Sequence, residues 1–208
     1  AVEVFPLDFE RPASLREALD GVDVFVNTYW VRFTRAGFSH AEAVRNTRLL
    51  FEAAPEAGVG RVVHVSITNP SLDSPYSYVR GKAELEEALV ATGLPHTILR
   101  PAVLFGGADI LLNNIAWMLR TLPVIGIFGD GRYKLQPLHV ADCADLIVEE
   151  AGSAGARVVD AIGPETYAYA DLVRLVGRLI GCDRRQLRVP RWVGLTTATV
   201  MGWWLRDV

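Results

Sequence analysis

Short apolar runs alternate with amphipathic stretches along most of this chain, and that alternation constrains the fold more than any single motif. Asp23–Thr28, Arg61–Ser66, His96–Leu99 and Arg157–Ala161 read as strands, mostly apolar as expected where both faces of a sheet are covered. Val2–Leu7 reads as a further strand ending at Asp8. Helices are predicted between them. Ser14 is expected to cap one that stops at Gly21. Ser39 with Glu42 forms a capping box for a second, which presents Ala43, Thr47, Leu50, Phe51 and Ala54 on one face and ends near Gly58. A third runs from about Tyr76 to Thr92 and closes at Gly93.

Beyond Arg100-Pro101 the pattern predicts a helix over about 109–122, short strands near 124–128 and 133–138 around the turn Gly129-Asp130-Gly131, and helices near 141–151 and 170–180. The segment 190–205 reads as helical. Repeated strand–helix–strand units imply an α/β fold, a doubly wound parallel sheet with right-handed crossovers. Ligands of such sheets sit beyond the carboxyl ends of the strands. The residues at those ends are Asp8, Asn27–Trp30, Ser66–Asn69 and Arg100–Val103.

Composition narrows the function. The 208 residues are 50% hydrophobic with a net charge of −3, which excludes a disordered tail and the basic footprint of a nucleic-acid binder. The two cysteines, Cys143 and Cys182, and the four histidines fall in no zinc-ligand spacing, so no metal is expected. The longest uncharged run, Trp192–Leu205, has 14 residues against the roughly 20 a membrane-spanning helix needs. These features read as a soluble, cytoplasmic protein. The basic residues Arg184, Arg185, Arg188 and Arg191 before that run suggest possible docking at an anionic membrane face, against the plainer reading of a core helix.

Only two lysines occur, and Lys82 stands four residues after Tyr78. Residues at that spacing share one helix face. An ammonium there favours the phenolate, so the tyrosine can exchange a proton with a substrate oxygen. Ser66 and Thr68 follow the preceding strand. Either hydroxyl could hold the substrate oxygen, and the choice depends on a register that spacing leaves open. Asp8 either accepts a hydrogen bond from an adenine amino group or caps the following loop. Asn46, in mid-helix, suggests a buried hydrogen bond or a solvent-facing side chain. Arg132 and Asn113-Asn114 either meet a polar substrate or tie loops down.

The order of these motifs resembles the short-chain dehydrogenase/reductase superfamily: Asn27, Asn46-Thr47, Val62–Ser66, Tyr78–Lys82 and Leu99–Gly106. Phe128–Gly131 followed by Pro137–Asp142 is similar to its extended, epimerase-like branch. Ile110–Trp117 within that order resembles the atypical members, which include the nucleotide-binding accessory subunit of respiratory complex I and bacterial nucleoside-diphosphate-sugar epimerase-like proteins.

The resemblance implies a Rossmann-type domain over 1–108 and 133–163 and a substrate lobe over 109–132 and 164–208. It implies NAD or NADP as cofactor, with Tyr78 and Lys82 as the proton-transfer pair and Lys82 also on the nicotinamide ribose. Asp8 would lie beside adenine, and Asn27, Ser66 and the backbone of Pro101, Ala102 and Val103 would line the nicotinamide side. The activity implied is that of an oxidoreductase or epimerase on a small-molecule substrate. The alternative is a non-catalytic NAD(P)-binding structural or redox-sensing module of a membrane-associated respiratory assembly. No GxGxxG or GxxGxxG occurs in the chain, and Val2–Leu7 aligns with the family's third strand. The expectation is therefore that two strand–helix units precede this segment and that the 208-residue chain self-associates through exposed strand edges.

Overall fold

In the computed structural model residues 2–31, 34 and 37–190 are described. The elements run α1 (Pro12–Leu19), β1 (Val24–Asn27), α2 (His40–Glu56), β2 (Arg61–Val65), α3 (Ser77–Ala91) and β3 (His96–Pro101). They continue with β4 (Leu104–Phe105), α4 (Ile110–Thr121), β5 (Val124–Phe128), β6 (Lys134–Leu135), β7 (Leu138–His139) and α5 (Val140–Ala151). The last are β8 (Arg157–Ala161), β9 (Tyr167–Ala168), α6 (Tyr169–Leu179) and β10 (Arg185–Val189). Two compact units divide the chain, Ala1–Ala102 with Ala141–Ile162, and Val103–Val140 with Gly163–Val208.

The first unit is a parallel sheet in the order β1-β2-β3-β8. Residues Arg61–His64 and His96–Leu99 are all buried, so the two central strands are covered on both faces. On one face Leu15 and Leu19 of α1, Leu50, Phe51 and Ala54 of α2, and Leu85 and Leu89 of α3 pack with Val62 and Ile98 into one core. The Ser39–Glu42 capping box forms as expected and fixes where α2 starts. Gly58 and Gly93 end α2 and α3 with positive φ.

A polar lock closes the amino ends of the strands. Arg61, 5% exposed, donates to the carbonyls of Glu150 and Gly155 and to the hydroxyls of Thr97 and Ser153. The Glu150 carboxylate in turn accepts from Thr97 and from both donor atoms of the Arg157 fork. Four elements, β2, β3, β8 and the end of α5, are thereby tied by one pair of opposite charges and a ring of hydrogen bonds.

The second unit has its own core of Ile115, Leu119, Ile125, Ile127 and Val173, with β5 and β10 parallel at its centre. β4 pairs with β7, and β6 with β9. At Gly131 a Cβ would stand 2.6 Å from Ile127 Cγ2 and 2.9 Å from Ala170 Cβ, and φ is +68°, so the turn requires glycine there.

Several sequence expectations are corrected. Val2–Leu7 forms no strand; Val2 and Val4 are 93% and 87% exposed. No described strand offers it a ladder, and Pro6 removes one donor. The first helix begins at Pro12, not at a Ser14 cap, because proline at the first position pre-sets φ; the Ser14 hydroxyl donates back to the Arg11 carbonyl. The predicted strand 133–138 splits into β6 and β7 at Gln136-Pro137. β9 and β10 were not anticipated. By compactness, residues 103–108, 133–140 and 163 group with the second unit, where β4 finds its partner in β7. The predicted helix over 190–205 and Arg191 lie outside the described residues, apart from Pro190.

Candidate active site

The carboxyl ends of the parallel strands carry Asn27 on β1, Ser66 just past β2, and Arg100 and Pro101 on β3. Asn27 is 1% exposed. Its Oδ1 accepts from the Tyr29 amide at 3.1 Å, so its Nδ2 donates to His64 Nδ1 at 2.9 Å. The neutral His64 ring therefore carries its proton on Nε2, a buried atom with no hydrogen-bond partner. Burial, and secondarily the charge of Lys82, push the His64 pKa well below the ordinary histidine value.

Helix α3 presents Tyr78, Lys82 and Glu86 at successive four-residue steps. Lys82 is 3% exposed. Its Nζ donates to the Val65 carbonyl at 2.8 Å and lies 4.6 Å from the centre of the Trp30 ring. Burial lowers its pKa to about 8, partly opposed by the charge of Glu86. Trp30 stacks on His40 with ring centres 5.8 Å apart, and half-buried Tyr78 stands edge-on to both. His40 Nδ1 meets the Ser77 hydroxyl at 2.8 Å. Among the described residues, Trp30 Nε1, His40 Nε2 and Asn46 Oδ1 are buried without a hydrogen-bond partner, while Asn46 Nδ2 donates to the Tyr29 hydroxyl.

The two candidate hydroxyls separate clearly. Ser66 is buried, and its Oγ donates to Glu86 Oε1 at 2.5 Å. The same carboxylate receives Arg100 through Nε at 3.1 Å and Nη2 at 2.5 Å. The Thr68 hydroxyl, half-buried, makes no hydrogen bond among the described residues; its amide bonds the Pro101 carbonyl. Ala102 N donates to the Ala161 carbonyl in the first unit, whereas the Val103 carbonyl accepts from Leu138 in the second.

Asp8 does not end a strand. It accepts from the Glu10 amide and from Arg11 Nε at 2.7 Å, and the Arg11 bond lowers its pKa. This is the loop-capping alternative. Arg132, in the second unit, lines a cleft of about 370 Å³ with Asp130, Arg174, Gln186 and Arg188. Asn113 ties its own helix start to Gly107 and Asp109. A larger cleft of about 450 Å³ lies between the carboxyl halves of α2 and α3, lined by Phe51, Glu52, Ala88 and Thr92, away from Tyr78 and Lys82 along both helices. Sequence reasoning missed Glu86 and His40, and placed Trp30 and Arg100 at strand ends without giving either a role. The one available signal was that Glu86 repeats the four-residue step from Lys82.

A family model described as NAD(P)H-binding matches residues 1–111, more than half of the chain. The chain belongs to that NAD(P)H-binding family. It is 28% identical over 196 residues to the mitochondrial NADH dehydrogenase [ubiquinone] 1 alpha subcomplex subunit 9 of Arabidopsis thaliana, covering 90% of this chain and 48% of that protein. To the same subunit of Mus musculus it is 30% identical over 197 residues, with 87% and 50% covered. The chain thus spans about half the length of these curated relatives. The dTDP-glucose 4,6-dehydratase DesIV of Streptomyces venezuelae, a double mutant with NAD and DAU bound, superposes with a TM-score of 0.72 at 23% identity, covering 88% of this chain and 65% of that one. That likeness establishes the Rossmann-type α/β fold.

The residues of the first unit fit the ribose–nicotinamide end of such a cofactor. Two buried nitrogens with no hydrogen-bond partner among the described residues, the Trp30 Nε1 donor and His40 Nε2, stand in the same aromatic cluster as Tyr78, one helix turn from a lysine at the strand ends. No glycine-rich phosphate turn occurs among these 208 residues, so nothing in the chain matches the pyrophosphate end.

Proposed function

We propose that this chain supplies the proton-transfer half of an NAD(P)-dependent oxidoreductase or epimerase-like protein. The observation that carries the reading is the face of α3 that presents half-buried Tyr78 and buried Lys82, with Lys82 bonded to Val65 at the carboxyl end of β2. The nicotinamide, when bound, supplies or accepts hydride. Tyr78 gives a proton to, or takes one from, a substrate oxygen. Lys82, charged at neutral pH because its pKa is about 8, favours the phenolate. Trp30 covers the ammonium and keeps water from it. Thr68, rather than Ser66, has the hydroxyl free to hold the substrate oxygen, since the Ser66 proton is committed to Glu86. Asn27, gripped by His64 and the Tyr29 amide, presents a fixed backbone at the nicotinamide side. The substrate class favoured by the fold neighbours is a nucleotide sugar, the ligand type named for the dehydratase above.

The test is Tyr78→Phe in the whole protein. Turnover is expected to fall by 10²-fold or more, of the order of a lost general acid–base group, with cofactor affinity nearly unchanged. Unaltered turnover removes Tyr78 from the mechanism.

A second reading is favoured by the Lys82 contacts. Its Nζ is already engaged by the Val65 carbonyl and covered by Trp30, an arrangement suited to holding a nucleotide without turning over. The subunit 9 relatives belong by name to an NADH dehydrogenase. On this reading the chain is a structural or redox-sensing NAD(P)-binding module of a respiratory assembly, peripheral to a membrane. Among the described residues no helix is long and apolar enough to cross one. Tight NADH binding that stabilises the protein, with no turnover in wild type or Tyr78→Phe, distinguishes it.

A further inference from the structure

We propose that Glu86 is the positioning residue of this site, a single buried carboxylate that holds Ser66 and Arg100 at the ends of β2 and β3 and keeps the Lys82 ammonium charged from one helical turn away. The inference rests on the reading of Lys82 as a member of the proton-transfer pair.

The geometry is specific. Glu86 is 8% exposed and both of its oxygens accept hydrogen bonds. Oε1 accepts from Ser66 Oγ at 2.5 Å and from Arg100 Nε at 3.1 Å, and Oε2 accepts from Arg100 Nη2 at 2.5 Å. The carboxylate therefore joins three elements, α3, β2 and β3, immediately beneath the strand ends. A carboxylate buried this deeply requires paired, hydrogen-bonded partners, and Ser66 and Arg100 supply them. Its negative charge opposes the desolvation of Lys82, and it is the group whose charge acts to keep that lysine protonated.

The groups facing Lys82 are few. Tyr78 and Glu86 lie on its own helix; β2 contributes His64, which is neutral, and the Val65 carbonyl; the Trp30 ring covers Nζ. His40 stands behind Trp30, and Arg100, across Glu86, is the nearest competing cation for that carboxylate. With Glu86 neutral, Lys82 would keep its burial and lose the acidic charge that opposes it, and would lose its proton at lower pH. With Arg100 neutral, Glu86 would act on Lys82 without competition. The two changes are expected to move Lys82 in opposite directions, which a merely structural role would not do.

The experiment is nuclear magnetic resonance on the whole protein labelled with ¹³C-lysine, following the lysine Cε resonance that is missing in Lys82→Arg across a pH titration. Glu86→Gln is expected to lower the Lys82 midpoint by roughly one pH unit, and Arg100→Gln to raise it. An unmoved midpoint in Glu86→Gln with native circular dichroism overturns the proposal, as does a shift of both variants in one direction. Should Glu86→Gln fail to fold, Arg100→Gln decides alone, a rise supporting the proposal and no rise overturning it. The titration needs neither cofactor nor turnover. A Tyr78→Phe enzyme of full activity would sink the proton-transfer reading while leaving the Glu86–Lys82 result standing.

Discussion

Lys82 combines burial, a charge and a hydrogen bond to a backbone carbonyl, a combination that costs stability where the charge is kept. Its folded pKa of about 8 lies below the value of about 10.4 for an unfolded lysine. Between those values the unfolded chain binds more protons, so the stability of the fold rises as pH increases through that window. Below pH 8 the penalty is present in full, on the order of 3 kcal/mol. Lys82→Met is therefore expected to melt higher than wild type at pH 7, with the difference shrinking toward pH 10. Calorimetry at the two pH values checks this, and an equal gap at both would sink it. The Tyr78–Lys82 pair was legible in the sequence because four-residue spacing on a helix needs no tertiary information. Glu86 was not, because Glu84, Glu86 and Glu87 together look like a solvated face. Only packing shows that Glu86 turns inward while Glu87 stays exposed.

At the scale of elements, α2 and α3 approach closely because residue 81 has no side chain. A Cβ on Gly81 would stand 2.9 Å from Val44 Cγ2 and 3.0 Å from the Trp30 ring. Gly81→Ala gains about 1 kcal/mol of helix propensity. Against that, overpacking costs typically ~1–3 kcal/mol. We expect Gly81→Ala to be neutral to destabilising and Gly81→Val to be clearly destabilising, with a changed near-ultraviolet dichroism from the displaced Trp30. Urea melts measure the first; a Gly81→Val protein as stable as wild type would contradict the packing account. The capping box, the buried face of α2 and the central strands were readable from local pattern. Val2–Leu7 was misread, since a β-strand exists only where another strand completes its ladder. β10 was missed for the opposite reason: Arg-Gln-Leu-Arg-Val carries charges that read as a basic patch, yet β5 gives it a partner, and Arg184 bonds the Leu119 carbonyl.

For the whole molecule, two units with separate cores share one chain. Among the described residues β1 pairs on one side only, with β2, and Val26 on it is 39% exposed. Val2, Val4, Phe5 and Leu7 are exposed as well. A parallel sheet with an open apolar edge and loose apolar chain nearby in sequence invites pairing between copies. The 208-residue chain by itself is expected to self-associate at micromolar concentration in sedimentation; a monomer with one cooperative melt would contradict this.

The sequence by itself determined the alternation of strands and helices, the parallel α/β class, the NAD(P)-binding family and the face shared by Tyr78 and Lys82. These follow from local periodicity, capping chemistry and motif order, which act over a few residues at a time. The tertiary structure alone decided that Ser66 is bound to Glu86 while the Thr68 hydroxyl makes no hydrogen bond among the described residues. It also decided that Asp8 caps a loop, that β4 joins the second unit, and that Glu86, Arg100 and Trp30 surround Lys82. Each of those depends on which distant residues meet, because burial and hydrogen-bond partnership are properties of packing rather than of any stretch of chain.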